Sequence, residues 1–219
     1  MEIYRMNSQK KIFAVTAIIL IGLFFIGSYF FKKAELKKTE QAVAYNQSSL
    51  IRDHSPSKGS MLLKVTLVEF LDPECESCAF FHPIVKNILK RYDGRVRYVV
   101  RYAPFHPNSK FAIKVLEAAR NQNKYWETLD LLFKKLPEWG SHHNPQPELI
   151  WTYLPTLGLD IDKLKKDMKD EKILNMIEQE IEDGKTFGVR KTPSFFINGQ
   201  PLKSFGPEQL EEAIKAALE

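Results

Sequence analysis

Apolar positions recur along this chain in three rhythms, and each predicts a different kind of element. Between residues 12 and 31 they are continuous: IFAVTAIILIGLFFIGSYFF runs for 20 residues without a charge. At about 1.5 Å of rise per residue, such a run spans the roughly 30 Å hydrocarbon core of a bilayer. It predicts one transmembrane helix over 12–31 behind a short segment, 1–11. A cleavable signal peptide has a shorter apolar region that ends in small residues. This run ends in Tyr29-Phe30-Phe31 followed by lysines, which favours an uncleaved anchor. Residues 34–60 lose the pattern, are polar and mixed in charge, and close on Ser55-Pro56-Ser57-Lys58-Gly59-Ser60. They read as a tether.

From residue 61 to 219 the pattern is that of a folded domain. Residues 64–71 are β-branched and apolar, stop at Asp72-Pro73, and predict a strand. Phe80, Phe81, Ile84, Val85, Ile88 and Leu89 then follow a helical period, so residues 75–92 predict a helix that ends at Asp93-Gly94. Residues 96–102 predict a second strand. Strand, helix and strand with short links make a βαβ unit, hence a parallel pair with a right-handed crossover. Helical spacing continues over 109–121, 125–134, 147–157, 161–168 and 171–187. Residues 194–197 and 200–203 then flank Asn198-Gly199, the strongest short hairpin signal, and Pro207 opens a last helix. The fold class is therefore α/β: a mixed four-stranded sheet flanked by helices, with a helical insertion over about 105–187.

Charge narrows the function. Residues 1–40 hold seven Lys/Arg against three Asp/Glu, so four of the five surplus positive charges sit around the apolar run. The rest is nearly neutral and offers no electrostatic footprint for nucleic acid. The basic run Arg91, Arg95, Arg97 and Arg101 reads as a solvated sheet end. Three Lys/Arg precede the span and four follow it closely, so charge does not orient it. A span this early in a chain most often leaves the long C-terminal part outside the cytoplasm.

Cys75 and Cys78 are the only cysteines of the chain, in Cys75-Glu76-Ser77-Cys78, where the first strand hands over to the first helix. Spacing of i and i+3 at a helix start puts two sulfurs within disulfide reach. The first also faces unpaired N–H groups and the positive end of the helix dipole, which stabilise a thiolate. A thiolate is the attacking species in thiol–disulfide exchange, and a neighbouring thiol then resolves the mixed disulfide. The alternative is a metal site, a copper-binding chaperone using Cys75, Cys78 and one of His82, His106, His142 or His143. Four-ligand zinc has no second Cys pair here.

The chain resembles the DsbA-like thiol–disulfide oxidoreductases of thioredoxin fold. Phe70-Leu71-Asp72-Pro73-Glu74-Cys75-Glu76-Ser77-Cys78 is similar to their F-x-D-P-x-C-x-x-C, and Pro83 matches the proline that kinks their active-site helix. The segment from Gly188-Val189 through Thr192-Pro193 to Asn198-Gly199 is similar to G-V-x-x-T-P-x-F-F-x-N-G. The long helical block matches the DsbA-like subgroup. The resemblance implies that Cys75 attacks, Cys78 resolves, Glu69 is a buried carboxylate that assists proton transfer, and Pro193 is cis, leaving the Thr192 backbone to pair with substrate. Glu76 and Ser77 contribute to the substrate side; a negative Glu76, with no histidine between the cysteines, should make Cys75 less acidic than in the most oxidising relatives. His82 and His106 read as polar rim residues, and Phe80, Phe81, Tyr102 and Phe105 as core or cleft lining. Implied partners are unfolded or thiol-containing proteins and a membrane redox partner; no cofactor is implied. The implied location is the cell (inner) membrane, single-pass, with the domain facing the periplasm or cell exterior. Oxidation, reduction and isomerisation share one dithiol, and redox poise decides among them.

Overall fold

The computed structural model of the chain describes residues 49–141 and 143–219. The expected segment 1–11, the anchor over 12–31, residues 34–48 of the tether and His142 lie outside the described residues. Among the described residues, no helix is long and apolar enough to cross a membrane.

A five-stranded sheet runs in the order β1-β3-β2-β4-β5, with β1 Ser57–Lys58, β2 Val65–Leu71, β3 Val96–Tyr102, β4 Ser194–Ile197 and β5 Gln200–Pro201. β2 and β3 are parallel, in register from Val65 opposite Val96 to Leu71 opposite Tyr102. They are joined by helix α1, Glu76–Arg91. β4 pairs antiparallel with β2, placing Ser194 opposite Phe70, and β5 returns along β4. β2 reads VTLVEFL with almost no polar alternation because it is central and covered on both faces. The turn between β4 and β5 uses Asn198 at φ 47° and Gly199 at φ 81°, the left-handed pair that a tight hairpin requires.

One face of the sheet, with Leu67, Leu71, Tyr98 and Val100, packs on α1, on α7 (Pro207–Leu218) and on the helical insertion in the main core. The insertion comprises α2 Ser109–Arg120, α3 Tyr125–Trp139, the short α4 Ile150–Tyr153 and α5 Ile161–Asp167. α3 runs past the expected residue 134 to Trp139, with Pro137 inside it. The fully buried Trp139 donates its indole N–H to the Leu132 carbonyl at 2.9 Å. The expected helix over 147–157 is instead α4 between 3-10 turns at Pro147–Leu149 and Leu154–Leu157, since prolines 147 and 155 each open a new turn.

The opposite face, with Val68, Phe70, Val99 and Phe196, is covered by Leu50 and Val189 and lies beside α6, Glu171–Thr186. Two sequence expectations change here. The described part of the expected tether, 49–60, is packed on the domain: Ser49 and Leu50 are buried, and β1 pairs with β3 as a fifth strand. Arg101 is not a solvated sheet end. It is wholly buried, donates Nε–H to Glu180 at 2.9 Å and Nη2–H to Asp183 at 2.5 Å, and donates from Nη1 to the carbonyls of Ser49 and Leu50, each at 2.6 Å. Arg52 adds paired bonds to Asp183 at 2.8 and 2.7 Å. A strap that looks polar and mobile by composition is thus pinned by buried charges that lie far from it in sequence.

Candidate active site

β2 ends at Leu71 and α1 begins at Glu76, so the chain must turn over Asp72-Pro73-Glu74-Cys75 at the C-terminal end of the central strand. The carboxylate of Asp72, wholly buried, holds this turn. It accepts from Glu74 N at 2.9 Å through one oxygen, and through the other from Phe105 N at 2.7 Å and His106 Nδ1 at 2.8 Å. Its own N–H donates to Cys78 Sγ at 3.5 Å. Cys75 is the residue preceding α1, with extended φ and ψ, and its side chain faces the unpaired N–H groups of the first turn.

Both cysteines are free thiols, and they are in different surroundings. The Cys75 thiol is pulled down to about 5: the hydrogen bond from Cys78 is the main cause, burial opposes it, and bonds from Thr192 and from the backbone of Cys78 and Ser77 add to it. Burial, together with the bond to Cys75 and the charge of Glu69, pushes Cys78 well above the ordinary thiol value. One sulfur is a thiolate at neutral pH and the other keeps its proton. Glu76 is exposed, and the Cys78 thiol, Thr192 and the backbone N–H groups of Cys78 and Ser77 set the Cys75 thiolate.

The Thr192–Pro193 peptide bond is cis, and as a thiol Cys75 donates to the Thr192 carbonyl at 3.4 Å. This neighbourhood follows from the register. β4 starts at Ser194 opposite Phe70, so the residues just before it lie beyond the end of β2, beside the dithiol. Gly188, at φ 67°, lets the chain leave α6 and turn toward this loop.

Glu69 shares its face of β2 with Leu67 and Leu71 and is buried. Tyr98 donates its hydroxyl to Glu69 Oε2 at 2.5 Å. Burial raises the Glu69 carboxyl from 4.5 to about 7, against the Tyr98 bond and with help from the charge of Cys75. An acid that holds its proton more tightly in the folded than in the unfolded state favours folding at low pH. That contribution is lost as pH rises from 4.5 through 7. Glu69→Gln is therefore expected to exceed the unaltered protein in stability by about 3 kcal/mol at pH 8, with the gap closing below pH ~4.5. Urea unfolding at the two pH values measures this, and a gap of equal size at both would contradict it.

His82 is not at the dithiol; its Nε2 lies 2.6 Å from Asp130 and its ring packs on Phe133, tying α1 to α3. Phe81 and Tyr102 are core, whereas Phe80 and Phe105 are 62% and 53% exposed on segments that border the dithiol turn. Among the described residues, no three His, Cys, Asp or Glu side chains converge on a point where a metal could sit. The Cys75, Cys78 and histidine set weighed from the sequence is thus not assembled there. Sequence reasoning passed over Asp72 as the hub of the turn and His106 as its partner. The signal available was the aspartate within the F-x-D-P-x-C segment.

A thiolate at a helix start, a protonated partner thiol behind it and a cis-proline loop across from both define a dithiol site on a thioredoxin fold of the DsbA-like kind. The chain belongs to the thioredoxin family, whose sequence profile matches residues 53–216. It is similar to the thioredoxin-like oxidoreductase of Silicibacter pomeroyi DSS-3, at 26% identity and a TM-score of 0.66 over 78% of this chain and 96% of that one. The thiol-disulfide exchange protein alpha-DsbA2 of Wolbachia pipientis shares the fold, with a TM-score of 0.68, 22% identity and coverage of 84% and 97%. Among curated relatives, the Na(+)/H(+) antiporter NhaA 3 of Salinispora tropica is 34% identical over 76% of this chain. The chain spans only about a quarter of the length of the curated relatives it matches, 22% and 24% for two of them.

Proposed function

We propose that this protein is a thiol–disulfide oxidoreductase acting on protein substrates outside the cytoplasm, held at the cell membrane by the apolar segment 12–31 and re-set by a membrane redox partner. One observation carries the reading: a thiolate-forming Cys75 whose sulfur lies 3.4 Å from the Thr192 carbonyl, next to the cis bond to Pro193. An extended substrate can pair with the Thr192 backbone by strand addition and bring its own sulfur to Cys75.

In the reducing direction, the Cys75 thiolate attacks one sulfur of a substrate disulfide, forming a mixed disulfide and releasing the other sulfur as thiolate. Cys78 then gives up its proton and attacks the Cys75 sulfur. This expels the second substrate thiolate and leaves Cys75 and Cys78 joined, with two electrons passed to the substrate. Run backward, the same steps oxidise a substrate dithiol. Glu69, which feels the charge of Cys75 and whose own charge is felt at Cys78, is the acceptor for the Cys78 proton. Glu76 and Ser77, exposed between the cysteines, border the incoming chain, and the exposed rings of Phe80, Phe105 and Phe205 give it an apolar platform. Relatives named as sodium/proton antiporters contain a matching segment, which fits a membrane setting.

The test is insulin reduction by the full chain together with equilibration of the dithiol against glutathione buffers. Catalysed turnover and a single two-electron transition between Cys75 and Cys78 are expected. Stoichiometric, tight copper binding without turnover would replace this reading with that of a copper chaperone.

A further inference from the structure

The segment between the two cysteines carries no cation, yet a histidine from elsewhere stands at the turn that presents them. The loop after β3 brings His106 to Asp72. There its backbone N–H reaches Asp72 Oδ2 at 3.2 Å and its Nδ1 reaches the same oxygen at 2.8 Å. A second tie fixes the loop, since Asn108 donates its backbone N–H at 2.5 Å and its side-chain amide at 2.7 Å to the buried Glu74. The loop and the dithiol turn are thus fastened by two carboxylates, one on each side of Pro73. The imidazole is held in place, with its side chain only 23% exposed.

We propose that His106, fastened by Asp72 beside the dithiol turn, is a positioning residue whose imidazolium stabilises the Cys75 thiolate from a neighbouring loop. This rests on the reading of Cys75 as the attacking sulfur. The charges that His106 faces are those of Asp72, the Cys75 thiolate and Glu74, all on the turn between β2 and α1. Burial works against its protonation, but these three outweigh burial and raise the imidazole above its ordinary value. Linkage makes the effect reciprocal: if the thiolate favours the imidazolium, the imidazolium favours the thiolate by the same free energy. Oxidation to the Cys75–Cys78 disulfide removes the negative charge, so the histidine must then release its proton more easily. Reduction of the disulfide thereby takes up a proton at a residue that makes no bond to sulfur in the exchange.

Two measurements test this. On the unaltered chain, the His106 ring is followed by NMR through a pH titration in the oxidised and the reduced forms; its pKa is expected to rise by roughly one pH unit on reduction. Thiolate absorbance at 240 nm is then titrated in His106→Gln and His106→Lys. Removing the cation in the glutamine variant should raise the Cys75 pKa by roughly one pH unit and slow its alkylation at pH 4 by about tenfold. The lysine variant, which keeps a cation, should stay near the unaltered value. Equal shifts in both variants would assign His106 a purely architectural role. A His106 titration indifferent to redox state would overturn the proposal outright. Insulin turnover by the unaltered chain reports separately on the oxidoreductase reading, so the two ideas fail by different measurements.

Discussion

Cys75→Ser is expected to abolish catalysed disulfide exchange, with insulin turnover falling by on the order of a thousandfold or more. A serine hydroxyl in the same position stays protonated at every accessible pH, so the hydrogen bonds that hold the Cys75 thiol at about 5 have no anion to stabilise. Cys78→Ser should behave differently. The thiolate still attacks, but the residue that would release the substrate is gone, so a peptide disulfide is captured as a stable mixed disulfide visible by mass. Loss of turnover with capture in the Cys78 variant, and neither turnover nor capture in the Cys75 variant, is the expected pair. Capture on residue 78 in the Cys75 variant would reverse the assigned roles. A Cys78→Ala variant, which removes the donor altogether, should also bind its proton at Cys75 more tightly, because the hydrogen bond from Cys78 is the main cause of the low value.

The second large effect concerns stability. Arg101→Met should lower the unfolding free energy by about 3–5 kcal/mol, since it leaves Glu180 buried without its guanidinium and Asp183 with Arg52 alone. The loss is an uncompensated burial cost and not the net worth of the ion pairs. Replacing Arg101, Glu180 and Asp183 together by apolar residues of similar size should therefore recover much of it. The same substitution removes the donor to the Ser49 and Leu50 carbonyls. Hydrogen exchange of residues 49–58 should accelerate in the Arg101 variant far more than exchange in β2. Urea unfolding gives the first quantity and mass-detected exchange the second. A loss under 1 kcal/mol, with the strap still protected, would mean that apolar burial of Leu50 alone holds the segment.

The parts of this fold that burial periodicity controls were readable in the sequence. VTLVEFL and VRYVVRY stand as parallel neighbours, α1 begins beside Cys75, and the Asn198-Gly199 hairpin forms where its dihedral preferences put it. What escaped was set by partners distant along the chain. Ser57 and Lys58 carry no strand signal; they are a strand because β3 offers an open edge next to them. Arg101 looks like a surface residue until Glu180 and Asp183, about 80 positions later on α6, are seen to meet it. Glu69 was readable only through the resemblance, because a lone glutamate in an apolar strand has no periodic signature of being buried. His106 lies in a loop, where no periodicity speaks at all, and its place follows from Asp72, whose four acceptor contacts no local pattern foretells.

The two outermost strands of the sheet are each only two residues long, Ser57–Lys58 on one side and Gln200–Pro201 on the other. A protein that offers its backbone to unfolded chains risks being zipped to them along any long, flat margin, and to its own copies as well. Truncated margins bearing a lysine and a proline offer such chains almost no ladder to extend. On the proposed function, the welcome given to stretched polypeptide would thereby be confined to the loop facing the sulfurs, where a visitor can be exchanged and let go instead of seeding a fibre.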